Sequence, residues 1–273
     1  MRVITLLTDF GMQSPYPAAM KGVILGIAPD ACVVDLTHEI APQGVQEGAF
    51  VLWSLVREFP QGTVHCAVVD PGVGTGRRGL ILEAGGCLLV GPDNGLLDPA
   101  ARALGEPRAY EIANPRYLRG EISHTFHGRD VFAPVAAHLA RGVPLEEIGV
   151  PLGDRGWVAL GVDFQGGRWD PGAGAFLGQI VYIDRFGNAI TNVPTERFRE
   201  RVGFDARVEL SLRGAAATRI VRLRRSYGFA ERGELLLVPG SHGLIEVSVR
   251  EGSARELLGL RVNDPLALRP LPR

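Results

Sequence analysis

The stretch Thr63-Val64-His65-Cys66-Ala67-Val68-Val69-Asp70-Pro71-Gly72-Val73-Gly74-Thr75-Gly76-Arg77-Arg78 decides the reading of this chain. Its first seven residues are largely β-branched or small and read as a buried strand. The strand ends on an acid. Pro71 and three alternating glycines then turn the backbone sharply and leave room for a ligand. Two arginines close the turn. A carboxylate and guanidinium groups a few residues apart, at the carboxyl end of a buried strand, build a polar site in an α/β protein.

Working outward, residues 2–8 read as a strand ending at Asp9-Phe10-Gly11. Met20, Val23, Ile24 and Ile27 stand at helical spacing, and Pro29 stops that helix. Cys32 to Val34 is a short strand ending at Asp35, and Gly44 to Phe59 a second helix. Leu80 to Leu82 and Cys87 to Val90 read as strands, the second running into Gly91-Pro92-Asp93. A further helix is expected from Gly128 to Ala140. Four apolar strands thus end on or just before an aspartate: Asp9, Asp35, Asp70 and Asp93. One such acid is an ordinary turn former or helix cap. Four in one domain, at strand ends that converge on one sheet edge, point to a ligand site.

The texture changes near Val162. Gly166 to Gly174 is linker-like, and the runs beyond it are short and β-patterned: 178–183, 206–212, 218–223, 234–238 and 243–249. The expectation is an α/β domain over residues 1–163 with a central, largely parallel sheet, a linker over 164–175, and an all-β barrel over 176–273.

Composition excludes several functions. Two domains suit 273 residues, and a net charge of −1 argues against nucleic-acid and anionic-membrane partners. No apolar run approaches the ~20 residues that span a bilayer, and the N-terminus enters a strand too soon for a signal peptide, so the cytoplasm is expected. Cys32, Cys66 and Cys87 show no CxxC spacing and read as core residues. Lys21 is the sole lysine, so Schiff-base chemistry would have to use a residue that reads as a solvated helix position. No P-loop motif occurs. Gly74 to Gly79 matches GxGxxG, but a strand follows it where a dinucleotide site needs a helix.

Two further polar clusters stand out. In Thr125-Phe126-His127-Gly128-Arg129-Asp130, His127 lies between an aromatic and a glycine at a helix start, a place that suits a working imidazole. His124 and His127 are three apart, yet no third metal ligand stands at a telling spacing. Asp184-Arg185-Phe186-Gly187-Asn188 reads as a hairpin turn that carries an acid, an aromatic face and an amide, groups that suit a purine nucleoside with an ammonium group.

Together with Leu7 to Gly11, Ala19 to Gly22, Val34 to His38 and Gly91 to Gly95, these segments resemble the S-adenosylmethionine hydroxide adenosyltransferase family, relatives of the adenosylmethionine fluorinase and chlorinase. Each segment is weak alone; seven in order are specific. The resemblance implies hydrolysis of S-adenosylmethionine (SAM) to adenosine and methionine, without metal or cofactor. By motif position it implies Asp70, Arg77 and His127 as the catalytic set, Arg77 rather than Arg78 by its spacing from the acid. It further implies Asp9 on the ribose hydroxyls, Phe126 and Phe186 as walls, Asp184 on the methionine ammonium, and Asn188 on the adenine edge. Ser241 would reach the methionine carboxylate and Tyr227 would stack on adenine. His242 stands where the halogenases have an arginine, and Ser14 replaces an expected acid. The implied assembly is a homotrimer with substrate between one subunit's first domain and the next subunit's barrel.

In this chemistry a fixed guanidinium stabilises developing hydroxide, Asp70 orients it, and His127 is available to take the proton. Two other readings compete. Halide attack fits poorly, because the halogenases have a tyrosine where this chain has Asp70 and a serine where it has Gly128. A non-catalytic nucleoside-binding protein on the same fold is the other.

Overall fold

The computed structural model describes residues 2–212 and 218–272; residues 213–217, within the barrel expected over 176–273, and the two end residues lie outside the described part. The chain divides into two units, Met1–Val162 and Asp163–Arg273.

The first unit holds β1 (Val3–Thr8), α1 (Tyr16–Ile27), β2 (Cys32–Thr37), α2 (Val45–Leu55), β3 (Val64–Val68), β4 (Gly79–Ala84) and β5 (Cys87–Pro92). It continues with α3 (Asp98–Leu104), β6 (Arg108–Ile112), α4 (Ala133–Ala140), α5 (Leu145–Ile148) and β7 (Gly149–Pro151). The sheet order is β2-β1-β3-β5-β4-β6-β7. The strands β2, β1, β3 and β5, those read as ending near acids, pair in parallel. Beyond β5 the pairing is antiparallel, so the sheet is mixed. The cause is local: Gly85 and Gly86, both at positive φ, close a two-residue hairpin between β4 and β5.

All five β3 residues are buried, as a strand covered on both faces requires. Side chains alternate across β1. Leu6 joins Met20, Ile24, Cys66 and Phe132 in one core, whereas Leu7 meets the α2 face beside Gly48. α1 begins at Tyr16-Pro17, where proline lacks only an N–H the first turn would leave free, and Pro29 lies just beyond its end. α4 is entered through a π-turn, Gly128–Phe132.

The second unit contains β8 (Arg168–Asp170), β9 (Ala175–Ile183), β10 (Ala189–Pro194), α6 (Thr195–Arg199), β11 (Arg207–Leu212) and β12 (Arg219–Leu223). It ends with β13 (Leu235–Pro239), β14 (Leu244–Val249), α7 (Ala254–Leu258) and β15 (Pro265–Pro270). The order β10-β14-β13-β12-β11-β15-β9 closes through a β9–β10 pairing into a barrel. Its interior is packed with Phe176, Ile180, Phe198, Val247 and Leu268. Within 164–175, read from composition as a linker, Phe164 is buried and β8 pairs with β9. This stretch is part of the barrel unit: its glycines and Pro171 flank a three-residue strand rather than a free connection.

Gly91 on β5 admits no side chain. A Cβ there would stand 2.2 Å from the Ala67 carbonyl oxygen of β3. Gly91→Ala is therefore expected to destabilise the first unit by about 1–3 kcal/mol, the usual cost of overpacking. Urea titration checks this through a lowered midpoint at unchanged slope.

Candidate active site

The chain steps from β1 to β2 on one side and then crosses to place β3 on the other side of β1. At such a reversal the loops leaving the two central strands diverge and open a crevice at their carboxyl ends. Asp9 and Phe10 leave β1 there, and Asp70 and Pro71 leave β3. With Tyr16, Gln43, Val68, Val73, Thr125, Phe126, His127 and Gly128 they line a cavity of about 370 Å³. A roomier hollow of about 580 Å³, lined by Arg2, Asp30 and Arg141 among others, lies at the amino ends of β1 and β2, away from the acids.

Arg77 folds back across the glycine turn onto Asp70. Its Nε donates to Asp70 Oδ1 at 3.1 Å, and its Nη2 donates to Asp70 Oδ2 in a closer contact. The two side chains are nearly buried, Asp70 5% and Arg77 10% exposed, so the pair is desolvated. Arg77 Nη1 donates to the Arg78 carbonyl at 2.9 Å, and the guanidinium lies over the Phe132 ring at 5.2 Å. Nη2 also stands 3.1 Å from His127 Nδ1. A guanidinium only donates, so Nδ1 is the acceptor and the neutral ring carries its hydrogen on Nε2. Burial, and then the Arg77 charge, hold His127 below the usual imidazole range, with Asp70 opposing in part. Asp70 and His127 form cavity wall, whereas Arg77 stands behind both.

Two loops far apart in sequence make this contact. Gly74 has φ +77°, and a Cβ on it would stand 2.3 Å from the His124 carbonyl oxygen. Only glycine lets the 70–78 turn press against the segment that carries His127. That segment is pinned by fully buried Asp130. Arg129 Nε and Nη2 donate to its two oxygens at 2.6 and 2.9 Å, and the Ser123 N–H donates to Oδ2 at 2.9 Å. Burial alone would push the Asp130 carboxyl up; these donors hold it below the usual range.

Of the four strand-end acids, Asp9 and Asp70 reach the cavity. Asp9 Oδ2 accepts the Gln43 N–H at 2.9 Å. Asp93 instead accepts Arg78 Nε at 2.8 Å and the Val158 N–H at 2.8 Å. Asp35 lies inside β2 and pairs with Lys21. The reading of Asp35 as a strand end is corrected here: β2 runs on to Thr37 because its pairing with β1 continues.

The barrel residues gather in part. Asp184 caps its own turn, its Oδ1 accepting the Phe186 and Asn188 N–H groups at 2.8 and 2.9 Å, and its Oδ2 the Asn188 side-chain amide at 2.8 Å. Phe186 is thrust outward at the turn tip, 70% exposed. Tyr227 donates its hydroxyl to Glu246 Oε2 at 2.6 Å. Ser241 lies exposed between β13 and β14. The structure thus brings Asp184, Phe186 and Asn188 into one turn, with Tyr227 and Ser241 on other segments of the barrel.

Sequence reading assigned no role to Phe10, Tyr16, Gln43, Val73 or Thr125 of the cavity, nor to Glu246. Phe10, Tyr16 and Phe126 form an edge-to-face aromatic group with centroids 5.0 to 5.8 Å apart. Gln43 sits at φ +65°, a strained conformation with no local sequence signal. Glu246 is a buried acid in the otherwise largely apolar β14, which was a visible signal; burial pushes its carboxyl up.

Residues 4–149 match the family model of the SAM hydroxide adenosyltransferase N-terminal domain, and residues 178–267 match that of the C-terminal domain. The chain is 41% identical to a protein of Thermus thermophilus named (R)-S-adenosyl-L-methionine hydrolase, over 98% of this chain and all of that one. It is 34% identical to a protein of the same name from Methanocaldococcus jannaschii, over 97% and 95%. A fluorinase of Nocardia brasiliensis is 30% identical over 85% and 84%. Among solved structures, an uncharacterised conserved protein from Thermotoga maritima superposes with a TM-score of 0.90 at 34% identity, covering 97% of this chain and 99% of that one.

The Arg77–His127 contact has a direct readout. His127 should titrate by NMR below the ordinary midpoint of ~6.5. Arg77→Gln should move it up, by removing both the charge and the donor to the neutral ring; Asp70→Asn should move it down.

Proposed function

The chain belongs to the SAM hydroxide adenosyltransferase family, and from that premise we propose that it hydrolyses S-adenosyl-L-methionine to adenosine and L-methionine with Asp70, Arg77 and His127 acting on the water. The observation that carries the assignment is the Asp70–Arg77–His127 contact set on the wall of the cavity where the strand order reverses. The names of the hydrolase relatives specify the R configuration at sulfur, and the proposal takes over that epimer.

In this reading a water sits between Asp70 and the His127 ring. His127 Nε2–H donates to it, and Asp70 accepts one of its hydrogens, which leaves an oxygen lone pair for C5′ of the ribose. The C5′–O bond forms as the C5′–S bond breaks. Sulfur keeps the bonding pair and leaves as a neutral thioether, so departure needs neither an acid nor a metal. The spare proton passes to Asp70 and then to solvent. This differs from a mechanism with His127 as proton acceptor, since Nδ1 already accepts from Arg77. Arg77 acts through its two partners, fixing both beside the forming bond.

The hydrolase reading is favoured over the halogenase one at two positions. Asp70 puts a carboxylate on the wall where a halide would have to sit. A side chain at Gly128 would press on the Phe10 ring at 3.2 Å and the Met20 sulfur at 3.3 Å, so a halide-binding serine would need both to give by a few tenths of an ångström. Asp9 is proposed to hold the ribose hydroxyls. The Asp184–Asn188 turn, Tyr227 and Ser241 are proposed to serve adenine and the methionine head group, supplied within a trimer by a neighbouring subunit. No three His, Cys, Asp or Glu side chains cluster as a metal site among the described residues, and no helix there is long and apolar enough to cross a membrane. The unpaired Cys32, Cys66 and Cys87 suit a cytoplasmic setting.

Purified protein given (R)-SAM should release adenosine and L-methionine in equal amounts, with no dependence on halide and no loss in chelator. Binding without turnover would instead favour the nucleoside-binding protein. Asp70→Ala, Arg77→Ala and His127→Ala should each lower kcat by ~10²–10⁴-fold with little change in binding, because they act on a water that gains charge only during attack. Asp9→Ala and Asn188→Ala should chiefly raise KM. The activity should fall on acidification as His127 gains a proton and loses the Arg77 hydrogen bond. Sedimentation should find the trimer as the smallest active species; a fully active monomer would refute the shared site.

A further inference from the structure

We propose that the sole lysine of the chain, Lys21, is a positioning residue that sets the Asp9–Phe10 wall of the cavity through a relay of Asp35, His38 and Thr8. This rests on the function proposed above. The relay runs through three hydrogen bonds and one close charge contact. Lys21 Nζ donates to Asp35 Oδ2 at 2.5 Å. Asp35 Oδ1 stands 3.0 Å from His38 Nε2, off the straight donor line, a contact of charge with ring dipole. His38 Nδ1 lies 2.8 Å from Thr8 Oγ1. Thr8 Oγ1 accepts the Phe10 N–H at 3.2 Å. Asp9, whose neighbours on either side are thereby held, is the acid on the cavity wall.

The polarity of the chain follows from its ends. An ammonium has only hydrogens to give, and a carboxylate only lone pairs. The Asp35 charge beside Nε2 favours the ring tautomer with its hydrogen on that nitrogen, so Nδ1 is left as the acceptor and the Thr8 hydroxyl points to it. That orientation turns an oxygen lone pair toward the Phe10 N–H. His38 is 1% exposed and Thr8 fully buried, so no water competes for these groups. The same histidine holds the loop a second way, its carbonyl accepting the Gly11 N–H at 2.7 Å. Burial tends to raise the Asp35 carboxyl, but the Lys21 and His38 hydrogens outweigh it and keep the acid ionised.

The alternative is that Lys21 makes a surface ion pair of no consequence, which is the common fate of a one-third-exposed lysine. The buried continuation separates the two ideas. A surface pair stops at its two side chains, whereas here the carboxylate's other oxygen faces a buried ring that reaches the loop of the site.

The test compares Lys21→Met, Lys21→Arg, Thr8→Val and the double variant Lys21→Met/Thr8→Val. Lys21→Met and Thr8→Val should each raise KM for SAM about tenfold while kcat changes less than about threefold, and their effects should be less than additive. Lys21→Arg should restore KM. NMR of ¹⁵N-histidine-labelled protein, which needs no turnover, should show His38 as the Nε2–H tautomer and show that tautomer losing its dominance in Lys21→Met. Unchanged KM with an unchanged His38 signal in Lys21→Met would overturn the relay, as would fully additive effects. Absence of SAM hydrolysis by the unmodified protein would sink the functional reading alone, since the His38 signal still reports the relay.

Discussion

The site depends on one desolvated ion pair, Asp70 with Arg77. Two charges removed from water cost more than their attraction returns unless the remaining hydrogens and lone pairs are met. Here most are met: Arg77 spends four of its five N–H donors on Asp70, the Arg78 carbonyl and His127, and lays its face on Phe132. The turn exists to make this possible. A seven-residue step from acid to arginine lets the side chain fold back over the backbone. Pro71, Gly72, Gly74 and Gly76 supply a path that bulkier residues would block. Removing either partner leaves an uncompensated charge in a dry place, at a cost of about 3–5 kcal/mol. The pair therefore holds the cavity wall in place, which the proposed function requires.

The same economy runs through the neighbouring loops. Asp130 holds the His127 segment by collecting two arginine donors and a backbone N–H. Asp93 ties Arg78 and Val158 together, and in doing so keeps the second arginine away from Asp70. Asp93 takes Arg78, and Asp130 takes Arg129 and Arg119, so Arg77 has a single carboxylate to serve. That division gives the histidine a defined tautomer rather than a mixture.

Much of the fold was legible because its signals are local. The acid-ended strands are apolar runs closed by turn residues, and α1 carries its apolar stripe between prolines. What escaped was short or carried little periodicity. β6 is the mixed segment Arg-Ala-Tyr-Glu-Ile, β7 and β8 have three residues each, β15 begins and ends on proline, and the stubby α3 and α6 carry too few turns for a stripe. Composition made 164–175 look like a linker because turn residues outnumber the few that pair. At the site, the 70–78 turn and the 125–130 cluster were each visible as motifs. Their contact was not, because it depends on Gly74 meeting the His124 carbonyl, fifty residues away in the chain. Gln43 was invisible for another reason: its role rests on a left-handed backbone, which glutamine does not announce.

The guanidinium holds both oxygens of the Asp70 carboxylate in fixed places, an arrangement that serves positioning rather than the expulsion of a poor leaving group. The leaving group proposed here is a neutral sulfur that departs from a cation, so bond breaking supplies much of the drive. What remains is to keep one water in line and receive its proton after the new bond has begun to form. Orientation counts for more than proton affinity in such a step. In the proposed reaction a rigid Asp70 and the His127 N–H would provide that orientation, and the carboxylate on the wall would turn away halide, which would compete with water for the same position. On that proposal the ion pair that fixes the wall also selects the nucleophile.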